Sequence, residues 1–163
     1  VLGLALVGGA VVVFASDDAV RAATVTAAGA TREDPVPLGS RVDGTDWRVV
    51  VHSVAPVEAD SRGQGAAPGK VLLQVRLTAV ALGVEVPGLG PWASLAFVSP
   101  DGGTVGVGGG SSVFVPVDVF RARDRVSMGA SLTGDTILEV PADWQDGVLA
   151  VSPGGDPAFV AVS

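Results

Sequence analysis

The sequence has no cysteine and no tyrosine, and only one lysine, one histidine and one methionine in 163 residues. Without cysteine there is no disulfide framework, no thiolate nucleophile and no Cys-ligated zinc or iron–sulfur centre. Lipoprotein-type lipidation, which needs a cysteine, has no acceptor within this chain. A single histidine, His52, cannot build a multi-histidine metal site, and any Ser-His-Asp triad would have to pass through it. No G-x-S-x-G nucleophile elbow occurs. Basic side chains are also scarce: 10 Lys and Arg stand against 17 Asp and Glu, for a net charge of −7. They form no run, so neutralising a phosphate backbone is beyond this surface, and nucleic acid is excluded as an expected partner.

What the chain does have is valine, glycine and proline. Apolar residues make up 48%, and the 23 glycines and 11 prolines together are about a fifth of the sequence. Valine-rich segments broken by Gly and Pro predict many short strands and turns. The length fits one domain with appendages, large enough to bury a core without staples.

The first stretch, Val1 to Ala15, carries no charged side chain. As a helix it would reach about 22 Å, short of the about 30 Å hydrocarbon core. It reads as a signal peptide or a membrane anchor, with small-residue cleavage candidates at Val13-Phe14-Ala15 and Val20-Arg21-Ala22. Asp17 and Asp18 follow without basic company, which places the rest of the chain outside the membrane. Residues 16–37, rich in Ala and Thr and ending in Pro35-Val36-Pro37, read as an extended spacer, with a short helix near Ala19 to Ala28.

From Leu38 to the end, apolar residues recur with period two. Trp47, Val49 and Val51 alternate with Arg48, Val50 and His52. Val71, Leu73, Val75, Leu77 and Ala79 form one face of a strand whose other face is Lys70, Leu72, Gln74, Arg76 and Thr78. Further strands are predicted at Ser94 to Ser99, Val113 to Phe120, Val126 to Leu132, Thr136 to Val140, Gly147 to Ser152 and Ala158 to Val162. Pro116 marks an edge or a break, and Gly134 a bulge. Pro100-Asp101-Gly102-Gly103 and Pro153-Gly154-Gly155-Asp156-Pro157 are turn chemistry. Residues 60–69, 83–91 and 106–112 are expected to be flexible loops. No long amphipathic helix separates the strands, so the expectation is all-β: an antiparallel two-sheet sandwich over residues 38–163.

Three stretches carry a resemblance. They are D-P-V-P-L-G-S-R-V-D-G-T-D-W-R-V-V-V from Asp34 to Val51, K-V-L-L-Q-V-R-L from Lys70 to Leu77, and T-G-D-T-I-L-E-V-P-A-D-W-Q-D-G-V-L-A-V from Thr133 to Val151. In this order they resemble an immunoglobulin-like extracytoplasmic domain family of unknown function. That family occurs in lipoproteins and membrane-anchored envelope proteins of Gram-positive bacteria, notably actinobacteria. The mycobacterial secreted immunogenic proteins look like fold relatives. The sequence departs from the family pattern twice: no Asn follows the central strand, and Leu138 stands where an aromatic is common. The resemblance implies an immunoglobulin-like fold and an extracytoplasmic location, and no catalytic residues.

The remaining motifs read as structure. Gly106-Val107-Gly108-Gly109-Gly110-Ser111 lacks the Lys-Ser/Thr pair and the helix of a phosphate loop. The acidic groups Glu33/Asp34, Asp43/Asp46, Glu58/Asp60 and Asp143/Asp146 match no calcium-loop spacing and read as solvated turns. Trp47 is expected in the core. Trp92 and Trp144, both in loops, either fold back over a sheet end, the expected role, or stand exposed as the candidate partner contacts. The function expected is a non-catalytic binding or structural module of the cell envelope. Its expected partners are the membrane, through the N-terminal segment, and an envelope or membrane protein. No cofactor or metal is expected. The alternative is a carrier holding a lipid or other apolar ligand inside the sandwich, motivated by a mean hydropathy of +0.51.

Overall fold

The computed structural model describes residues 29–88, 90–107, 113–114 and 125–163. The apolar run 1–15, the proposed helix 19–28, the glycine-rich stretch 108–112 and Pro116 lie outside the described residues.

The described chain runs β1 (Arg41–Asp43), β2 (Trp47–Val57), β3 (Lys70–Ala81), β4 (Glu85–Val86), the one-turn helix α1 (Gly90–Ala93), β5 (Ala96–Val98), β6 (Thr104–Gly106), β7 (Val113–Phe114), β8 (Val126–Ser127), β9 (Ser131–Pro141), a 3₁₀ turn at Trp144–Asp146, β10 (Val148–Val151) and β11 (Ala158–Ala161). One sheet has the order β1-β2-β3-β9-β7 and a second the order β11-β10-β5-β6, while β4 and β8 pair alone. All strand pairs are antiparallel.

The two larger sheets share one core. Trp47, Val49, Val51, Leu73, Val75, Leu77, Leu138 and Val140 come from the first, and Phe97, Leu149, Val151 and Val160 from the second. Each fully buried Leu or Val of this kind is worth about 1.5–3 kcal/mol against exposure. From Leu73 to Ala79 the alternation expected in β3 is the alternation seen, because residues two apart point to the same side of the pleat; Leu72 is the exception. The result is a sandwich.

Several local expectations change. The bulge falls in β2, not at Gly134: the β2–β3 register shifts between Val51 and Ser53, leaving His52 as the extra residue. Gly134 is in register opposite Leu77. The predicted strand Val126 to Leu132 is split, since Gly129 takes φ 86 and turns the chain between β8 and β9. The stretch 83–91 is not a plain loop but supplies β4 and the start of α1. The last residues of the predicted spacer belong to the sandwich: Val36 bridges to Val160 in parallel, donating from its N–H to Phe159 O at 2.9 Å and accepting from Ala161 N–H at 2.8 Å. That contact covers the outer edge of β11.

Candidate functional site

Of the two candidate contact tryptophans, Trp92 is 0% exposed and packs into the core, as the fold-back expectation has it. Gly90 lets α1 close over Trp47, where a Cβ would lie 3.1 Å from Trp47 Nε1. The Trp92 ring is therefore covered and cannot serve as a surface contact in this conformation. Its indole N–H finds no acceptor among the described residues. Trp144 sits in the 3₁₀ turn, half-buried against the core, with part of its surface open. The two rings do not form one site.

The polar chemistry gathers instead on the outer face of the five-stranded sheet. His52, turned outward by the bulge, places Nε2 2.8 Å from Thr78 Oγ1, which lies 2.8 Å from Thr133 Oγ1. One hydrogen-bonded row thus crosses β2, β3 and β9. A second row starts at Gln74, whose Nε2 donates to Asp135 Oδ2 at 2.9 Å. A third joins Lys70 Nζ to Glu139 Oε2 at 3.3 Å.

The connection between β2 and β3, residues 58–69, is tied down onto this face. Asp60 Oδ1 accepts from the N–H groups of Arg62 at 2.8 Å and Gln64 at 2.9 Å. Those donors hold its carboxyl below the usual range. Further along, Ala67 N–H donates to Glu139 Oε1 at 2.8 Å, and this bond, with Lys70, depresses the Glu139 carboxyl likewise. The outer-face residues Leu72 and Ile137 are buried, although their strand positions point away from the core. Between this connection and the sheet lies an open cleft of about 270 Å³ lined by Val57, Ala59, Asp60, Ser61, Gln74, Asp135 and Ile137.

Asp135 is the unusual member. Gln74 occupies one carboxylate oxygen, while Oδ1 is shielded from solvent and accepts no hydrogen bond among the described residues. Arg76 Nε is 3.8 Å from Oδ1, close enough for an ion pair and too far for a hydrogen bond. Leaving a buried acceptor unmet costs about 1–3 kcal/mol.

At the opposite edge, a shallow recess of about 710 Å³ is lined by Gly29, Ala30, Asp43, Gly44, Thr45, Gly154, Asp156, Pro157 and Ala158. Its carboxylate Asp43 is engaged by Arg41 and by Arg48, which donates at 2.8 Å. The Arg41 hydrogen bond, helped by Arg48, pulls the Asp43 carboxyl down to about 2. Among the described residues, the large apolar side chains Val84 (76%) and Met128 (65%) stand exposed just beyond the Glu85–Ser127 pair of the β4–β8 ribbon.

Chemically, the outer face offers fixed acceptors and hydroxyls over a small apolar floor. Among the described residues no carboxylate hydrogen-bonds His52, and no three His, Asp or Glu side chains converge to hold a metal. No helix among the described residues is long and apolar enough to cross a membrane. Sequence reasoning missed the cleft because Gln74 and Asp135 are 61 positions apart, and only the β3–β9 register brings them together.

Neither a family model nor a curated protein matches the sequence. Solved structures do match. The YjhA protein of Bacillus subtilis aligns with a TM-score of 0.53 at 12% identity, covering 77% of this chain and 98% of that one. An uncharacterized β-sandwich protein of Clostridium difficile aligns with a TM-score of 0.49 at 11% identity, covering 79% and 95%. MPT63, a secreted protein of Mycobacterium tuberculosis, aligns with a TM-score of 0.49 at 15% identity, covering 77% and 95%. At 12% identity the likeness to YjhA is one of fold.

Proposed function

We propose that this chain is an immunoglobulin-like, non-catalytic binding module of the cell envelope. It is tethered to the outer side of the cytoplasmic membrane, or secreted beyond it, and serves as an accessory part of a larger assembly. The observation that carries the binding role is the outer face of the five-stranded sheet, where Gln74, Asp135, Lys70, Glu139, His52, Thr78 and Thr133 are held by one another. Side chains already fixed lose little entropy when a partner docks. The uncharged run Val1 to Ala15 ahead of the sandwich supports the location, with the acidic pair Asp17 and Asp18 after it. The resemblance of Asp34 to Val51 and Thr133 to Val151 to extracytoplasmic immunoglobulin-like domains supports both.

The apolar-carrier reading has less behind it. The fully buried side chains Leu73, Val75 and Leu77 on one sheet and Phe97 and Leu149 on the other meet in a single cluster, which occupies the space a lipid would need. Crosslinking intact cells with a membrane-impermeant reagent tests the module reading. It predicts a discrete adduct with a defined neighbour, and recovery of the chain only as a free monomer would oppose it.

A further inference from the structure

Among the described residues, the two large apolar side chains left in solvent, Val84 and Met128, stand at one place. Each lies one residue beyond the outermost rung of the β4–β8 ribbon, Glu85 opposite Ser127. The next rung inward, Val86 opposite Val126, is buried in the core. Met128 is the first corner of a turn that Ala130 N–H closes onto Ser127 O at 3.1 Å, with Gly129 at φ 86 as the second corner. A first corner accepts most residues, so the fold does not ask for a large apolar one here.

The root of the ribbon ties it to the end of the sandwich where the chain enters. Leu82 N–H donates to Asp46 O at 2.8 Å, and Gly129 N–H to Ala81 O at 2.8 Å. Asp46 N–H in turn donates to Pro153 O at 3.2 Å, and Thr45 N–H to Gly154 O at 3.1 Å. Thr45 and Gly154 line the recess that also holds Gly29 and Ala30. Residues 1–28, with the uncharged run Val1 to Ala15, therefore lead into the same end that carries Val84 and Met128. The 58–69 connection, joining the far ends of β2 and β3, closes the opposite end.

We propose that Val84 and Met128 are a membrane contact, entering the headgroup–hydrocarbon boundary of the lipid surface to which the chain is tethered. The inference rests on the tethered form of the module reading and gives the sandwich a foothold of its own on the bilayer. Lipid is favoured over a protein groove because the entry of the chain brings this end to the bilayer. Two aliphatic side chains bind a bilayer weakly by themselves, since interfacial affinity scales with buried apolar area. A short tether offsets that weakness by holding them at about millimolar effective concentration. The contact is apolar in character: Arg125, the cation of the ribbon, is paired with Glu85 at 3.8 Å, and Asp46 and Asp156 stand at the same end. Added salt should leave such a contact in place.

The test reconstitutes the full chain in phosphatidylcholine vesicles with a nitroxide on Ser127→Cys, an exposed position that leaves both apolar side chains intact. A nitroxide on Arg62→Cys, exposed in the opposite connection, is the control. Power-saturation EPR reads collisions with oxygen, which enters lipid, and with a nickel chelate, which does not. The Ser127 reporter should lose its nickel collisions and keep its oxygen collisions, at low and at high salt, while the Arg62 reporter keeps both. Val84→Gln combined with Met128→Gln should restore nickel collisions at Ser127 while the chain still floats with the vesicles.

Free nickel collisions at Ser127 in a floating chain overturn the contact alone. Protection lost at high salt, surviving the double substitution, or equally strong at Arg62 overturns it too. Protection that vanishes at a single copy per vesicle assigns the pair to a second copy of the chain and also overturns it. A chain that does not float with the vesicles removes the tether, and the contact with it.

Discussion

Asp43 and Arg48 face each other across the β1–β2 ladder, and Arg48 Nε donates to Asp43 Oδ1 at 2.8 Å. With Arg41 gripping the same carboxylate from its own strand, the exposed edge of the five-stranded sheet ends in fixed charges. Such an edge discourages a second chain from pairing with it.

That ion pair has a pH signature. The Asp43 carboxyl drops from 3.8 to about 2 on folding, so the folded state holds its proton less tightly than the unfolded state. Its contribution is complete above pH 3.8 and fades as the pH falls through about 2. Asp43→Asn should be less stable than the parent chain at neutral pH, with the gap closing as pH is lowered through that window. Urea unfolding of both chains at pH 6 and at pH 2 measures it.

Thr136 is fully buried on the core side of β9, and its hydroxyl has no partner among the described residues. Thr136→Val keeps the shape and removes the unmet group, so stability should rise by about 1 kcal/mol. Thr136→Ser keeps the hydroxyl, loses a methyl and should fall by about 1 kcal/mol. Thermal melts of the two variants should move in opposite directions.

Gly44 is held against the turn after β10, where a Cβ would lie 2.3 Å from Pro153 O. The obstacle is backbone, and that backbone is bonded in turn to Trp47 N–H at 2.9 Å. Gly44→Ala should therefore cost more than about 2 kcal/mol, read from the denaturation midpoint. Gly39, with nothing within 4 Å of its Cβ position but φ at 82, should cost less on the same change, about 1 kcal/mol.

Leu72 and Ile137 are buried on the outer face of the five-stranded sheet. Leu72→Ala should destabilise by about 2 kcal/mol or more, as for a core leucine, despite its outward strand position. By contrast Met128→Gln, at the exposed ribbon, should stay within about 0.5 kcal/mol of the parent. Chemical denaturation of the pair separates a covered outer face from a bare one.

The strand faces were legible because Val71, Leu73, Val75, Leu77 and Ala79 obey the two-residue period that the pleat imposes. Leu72 defies it: it is buried on the outer face, and no local pattern announces that burial. Trp92 looked like a surface anchor because Gly and Pro precede it. The same Gly90 is what lets its helix fall onto Trp47. The bulge at His52 was invisible because an extra residue in β2 matters only relative to its partner β3. For the same reason the cleft had no signature in sequence: nothing marks Asp135 until the β3–β9 register places Gln74 beside it.

An envelope module must face away from the cytoplasm, and the cysteine-free sequence makes that directly measurable. Ser163→Cys, at an exposed position, supplies the only thiol in the chain. Treating intact cells with a membrane-impermeant maleimide should label this variant to the same extent as in lysed cells. Labelling that appears only after lysis would place the domain in the cytoplasm and contradict the account.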